Sequence, residues 1–157
     1  AVEDEIGKIS STRICDAITQ GDMPAIKKML GQYYSLEGIV RRGHQQGRLM
    51  GFPTANIDYS DEYLLPKQGV YASLVEIDHQ VYGAMTNLGH NPTFNTSEKL
   101  SLETYLIGYN GSLYGRIIKV QLLEYLRPEI HFKSRENLIL QLEQDVRDIK
   151  KILLKYE

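Results

Sequence analysis

"LSLETYLIG", residues 100–108, alternates with a period of two. Leu102, Thr104 and Leu106 fall on one face of an extended chain, and Glu103, Tyr105 and Ile107 on the other. Branched and aromatic side chains suit a pleated, half-buried surface, so the stretch predicts a β-strand. The same texture recurs around it. Leu36 to Arg41, Val70 to Ile77, Val81 to Thr86 and Ile117 to Leu126 are comparable runs, with turn material at Asp78-His79, Asn91-Pro92 and Asn110-Gly111. Asn110-Gly111 predicts a tight turn, because both residues tolerate positive φ. Roughly five or six strands with no helix between them point to a mainly β fold, an antiparallel sandwich or closed barrel.

Both ends of the chain change period. Ser134 opens a long helix whose Leu138, Leu142, Val146, Ile149 and Leu153 form one apolar stripe, with lysines crowding its end. At the other end, Ser11 or Thr12 is placed to cap a short helix carrying Ile14, Ala17 and Ile18, which Gly21 ends. Asp22 then caps a second helix, with Pro24 in its first turn and Gly31 at its close. The expected division is a helical segment over residues 1–34 and a β domain over 35–157.

Composition removes several functions. The chain has 157 residues, is 42% hydrophobic and carries a net charge of −2, which argues against a general nucleic-acid or membrane-surface binder. No apolar run is long enough to span a bilayer. Cys15 is the one cysteine, so no internal disulfide forms and a cytoplasmic location is expected. His44, His79, His90 and His131 show no zinc-ligand spacing.

Three features carry chemistry. In "RRGHQQGRLMGFPTAN", residues 41–56, Gly43, Gly47 and Gly51 recur every fourth residue. Such glycines suit either a backbone cradle for phosphate or an ordinary loop. Thr54 and Asn56 are two apart and share a face of an extended chain. Two neutral oxygens there suit a magnesium ion that takes its other ligands from phosphates and water, or simply the end of a strand. Glu103 stands among apolar neighbours in mid-strand. A carboxylate in that setting is exposed, paired, or available as a general base. "YLRPEIHF", residues 125–132, offers a guanidinium and an aromatic ring either to a flat ligand or as a strand-to-helix connection.

Taken in order, "GFPTAN", "GVYAS", "NLGHNPTF", "LETYLI", "GSLYGR" and "YLRPEIHFKSRENL" resemble the riboflavin kinase module of bacterial bifunctional FAD synthetases. The resemblance runs from about Ser35 to the C-terminus, and it implies a six-stranded antiparallel Greek-key barrel followed by a long helix. It implies an enzyme that phosphorylates riboflavin at its ribityl 5′-hydroxyl with ATP, giving FMN and ADP. By the same resemblance Thr54 and Asn56 hold Mg²⁺, and Glu103 is the catalytic base. Gly43, Arg48, Gly51, Thr54, Leu106 and Tyr114 border the nucleotide, and Arg127, Ile130 and Phe132 meet the flavin. The implied partners are riboflavin and ATP, not nucleic acid or membrane.

"KISSTRICDAI", residues 8–18, is similar to the closing signature of the FMN adenylyltransferase module, with Cys15 where that signature has its second arginine. The His-x-Gly-His element of adenylyltransferases is absent, because "LGH" at 88–90 follows Asn87. FAD synthesis is therefore not expected of this chain, and residues 1–34 are expected to be the tail of a missing adenylyltransferase module. Two other readings are a flavin-binding module with a vestigial metal site, and a barrel that binds single-stranded nucleic acid. The first has no use for a base and metal ligands together, and the second needs a basic groove.

Overall fold

Six strands close into a barrel in the order β1-β2-β5-β4-β3-β6. They are β1 (Tyr34–Arg41), β2 (Ala55–Tyr59), β3 (Gly69–Ile77), β4 (Gln80–Gly89), β5 (Ser101–Leu106) and β6 (Ile117–Arg127). The computed structural model describes residues 2–41, 52–90 and 99–156. Every neighbouring pair is antiparallel. β3, β4 and β5 follow one another as neighbours and β6 returns beside β3, which is a Greek key.

The alternation read in LSLETYLIG fixes the faces. Leu102, Thr104 and Leu106 are buried inside, while Glu103, Tyr105 and Ile107 are only partly covered outside. Leu36, Ile57, Val75, Leu88 and Val120 meet them in the interior. Three buried hydroxyls also lie there. Ser73 Oγ donates to the Ala84 carbonyl at 3.0 Å and lies 2.6 Å from Thr86 Oγ1, which lies 2.8 Å from Thr104 Oγ1. Each is satisfied by the next, so the polar row costs the core little.

Ala55–Tyr59 is the sixth strand and continues the extended stretch read at Thr54 and Asn56, while one expectation about turns changes. Asn110-Gly111 does not form the tight turn expected of it: only Gly111 has positive φ (146°), and the pair lies in the crossover between β5 and β6, which are not neighbours. The tight hairpin is Asp78-His79, where both residues have positive φ (50° and 68°) and Ile77 pairs with Gln80.

The C-terminal helix α3 (Arg135–Leu153) starts where Ser134 accepts a hydrogen bond from the Asn137 amide at 3.1 Å. Its apolar stripe, centred on Ile149, covers the outer face of β3 and β4 at Val70, Ala72 and Met85. At the other end, α1 (Val2–Gln20) begins well before Ser11 and Thr12, which lie inside it. A hydroxyl residue caps a helix only where the chain before it leaves helical geometry, and here it does not. Asp22 caps α2 (Met23–Leu30) by accepting from the Ala25 amide. Ala17, Ile18, Met23 and Ile26 from these two helices are buried in the same core as the barrel interior.

Gly21 makes that docking possible. Its φ is +75°, and a Cβ there would stand 3.1 Å from Lys67 Cβ and 3.2 Å from the Tyr71 hydroxyl.

Candidate active site

Antiparallel register brings distant polar residues into line. Asn56 of β2 is the direct partner of Glu103 of β5, and Glu103 is the direct partner of Asn87 of β4. Direct partners point to the same face with Cβ atoms about 5 Å apart. Asn56, Glu103 and Asn87 therefore form one row on the outside of the barrel, and all three are half-buried. The row continues through Arg41 on one side, and through Val70 to Arg127 on the other.

Thr54 immediately precedes β2 and is exposed. It shares the side of Asn56 if the chain runs extended through Ala55. Nearby, Phe52 meets Tyr105 edge-on with ring centroids 5.4 Å apart, which adds an aromatic floor beside Glu103. Gly43, Arg48 and Gly51 lie outside the described residues.

Leu106 and Tyr114 are close to the same end of the barrel but differ in kind. Leu106 is buried in the interior, whereas Tyr114 is 56% exposed. The turn carrying Tyr114 is tied to the end of β1: the Gly115 amide donates to the Val40 carbonyl at 2.9 Å, and the Val40 amide to the Arg116 carbonyl at 2.8 Å. Arg116 also pairs with Asp78 at the tip of the β3–β4 hairpin.

Arg127 ends β6 at the far end of the row, and its guanidinium is already engaged. Nε donates to Asp145 Oδ1 at 2.9 Å, Nη2 to Oδ2 at 2.6 Å, and Nη1 to the Pro128 carbonyl at 3.0 Å. Gln141 Nε2 donates to Asp145 Oδ1 at 2.8 Å as well. The pair fixes the connection that carries Ile130, which is exposed, and Phe132, which is half-buried. Glu129 in that connection rests on Gly89, where any Cβ would collide with its carboxylate.

Sequence reasoning missed Asn87, Asp145 and the Phe52–Tyr105 contact. Asp145 had a detectable signal, a carboxylate on the apolar side of α3 between Leu142 and Val146. Asn87 and the ring contact had none, since both depend on register.

The comparisons with known proteins agree with this architecture. The Flavokinase family model, riboflavin kinase, matches residues 30–153. Over 150 residues the chain is 39% identical to the bifunctional riboflavin kinase/FMN adenylyltransferase of Listeria monocytogenes, covering 96% of this chain and 48% of the relative. A crystal structure described as a macrolide-efflux protein from Streptococcus pneumoniae matches with a TM-score of 0.83 and 36% identity, over 89% of this chain and 46% of that one. The crystal structure of riboflavin kinase from Trypanosoma brucei matches with a TM-score of 0.59 and 25% identity, over 77% of this chain and 80% of that one. The chain belongs to the riboflavin kinase family. It spans about half the length of the curated relatives it matches.

Proposed function

We propose that this chain transfers the γ-phosphate of ATP to the ribityl 5′-hydroxyl of riboflavin, giving FMN and ADP. The observation that carries the reading is the direct cross-strand pairing of Asn56 with Glu103, within a chain of this family. Glu103 takes the proton of the attacking hydroxyl, as a general base within reach of a nucleophile does. Thr54 and Asn56 fit a magnesium ion through their neutral oxygens. Among the described residues no cluster of three His, Cys, Asp or Glu side chains could hold a metal, so the remaining ligands would be phosphate oxygens and water. When bound, that ion neutralises charge on the phosphates. The protein's own share is to align the two substrates and exclude water.

Gly43, Arg48, Gly51, Leu106 and Tyr114 belong to the nucleotide end of the site in this reading. Ile130 and Phe132 meet the flavin, and Arg127 contributes by holding their segment against α3 through Asp145. Residues 8–18 carry the adenylyltransferase-like signature, and Ala17, Ile18, Met23 and Ile26 pack in the same core as the barrel interior. FAD is not a product, and the reaction is cytoplasmic. No helix among the described residues is long and apolar enough to cross a membrane.

Incubation with riboflavin and Mg-ATP, followed by chromatography of the flavins, tests this directly. FMN and ADP are expected, with no FAD under excess ATP. Glu103→Gln should lower kcat by roughly 10²-fold or more while riboflavin still binds. A variant with near wild-type kcat would remove Glu103 from the role of base.

A further inference from the structure

We propose that Asn87 is a substrate-contacting residue whose Oδ1 accepts a hydrogen bond from a hydroxyl of the acceptor's polyol chain. The inference rests on the riboflavin kinase reading and deepens it. It begins from one side-chain oxygen of β4. Asn87 Oδ1 is shielded from water, yet accepts no hydrogen bond among the described residues, and no other side-chain oxygen or nitrogen of the described residues is left that way. A buried acceptor without a donor is destabilising, and an apolar side chain of similar size would fit the site at less cost.

Its position says which donor is wanted. Asn87 lies on the outer face of β4 at a boundary. On one side its partner is Val70, buried with Met85 beneath α3; on the other its partner is Glu103. Asn56, Glu103 and Asn87 are thus spaced at about 5 Å intervals along one line. If Glu103 receives the proton of the terminal hydroxyl, and the phosphate side of the reaction lies toward Asn56, the remainder of the polyol chain leaves in the direction of Asn87. A hydroxyl further along that chain is an O–H donor at the place where an acceptor has none among the described residues. The side chain can turn to meet it, since the terminal torsion of asparagine is broad, and turning Oδ1 breaks no hydrogen bond it now accepts.

Two consequences separate this role from a structural one. Removing an unsatisfied acceptor should not weaken the fold, and only ligands with the polyol should notice its loss. The test uses Asn87→Ala in the full chain, with two flavins followed by fluorescence quenching: riboflavin, and a flavin carrying a methyl group in place of the polyol. The expected result is an unchanged or higher Tm, riboflavin affinity about tenfold weaker, and unchanged affinity for the methyl flavin, consistent with one lost hydrogen bond. Equal weakening of both flavins, or of neither, would overturn the proposal. So would a lower Tm, which would mean that the amide is held by a structural water. If the wild-type chain makes no FMN from riboflavin and ATP, the kinase reading itself fails. If it does and Asn87→Ala departs from the expected pattern, only the role of Asn87 fails.

Discussion

Arg127 ends β6 with its guanidinium held by Asp145 of α3. Its side chain is 14% exposed and that of Asp145 is 1% exposed, so both charges have left most of their water behind. Such a pair holds only while it is complete, because either partner alone is a buried charge with no compensation. Asp145→Asn keeps the shape and removes the charge, and should cost about 3 kcal/mol of stability by denaturant titration. Arg127 would then lose its hold on α3, and the Pro128–Phe132 connection would loosen with it. A loss under about 0.5 kcal/mol, the level of an exposed pair, would show that the geometry contributes little.

At the scale of elements, the informative pair is α1 and α2. Sequence reading sets residues 1–34 apart from the barrel, and their helical period and separate resemblance support the division. In the structure, Met23 and Ile26 are fully buried, in one core with Leu36, Tyr71 and Leu122 of the barrel. The buried residues of the helices share the barrel's core, whatever their resemblance. Ile26→Ala should therefore lower the stability of the whole domain by about 2–5 kcal/mol, in a single transition followed by near-ultraviolet circular dichroism. A separate early transition, with the barrel signal unchanged, would make the helices an independent appendage.

At the scale of the whole molecule, the buried tyrosines predict a loss of stability at alkaline pH. Burial, with Asp61 adding to it, pushes the Tyr59 phenol up to about 12, and burial raises Tyr71 further. Both phenols donate to backbone carbonyls, of Leu100 and Lys67 respectively, which ionisation would forbid. The folded state thus holds these protons more tightly than the unfolded chain, whose tyrosines titrate near 10. Their contribution is complete below about pH 10 and is lost as pH rises toward 12. Phenolate absorbance against pH should show a late group of tyrosines that ionises together with unfolding. Ionisation of all eleven near pH 10 in a folded chain would contradict the burial.

What the sequence determined alone was local. The period of two in LSLETYLIG set the inner and outer faces of β5, and Ser134 with its apolar stripe set α3, because neighbours within a few residues decide both. The motifs around Thr54, Asn56 and Glu103 named candidate chemistry by residue type, while Gly43, Arg48 and Gly51 fall outside the described residues. Barrel closure decided what period could not. It made Asn56, Glu103 and Asn87 one row, set Arg127 on Asp145, and folded α2 into the core. Strand register depends on contacts between residues far apart in the chain, and a shift of one position in β5 would turn Glu103 away from Asn56 and Asn87.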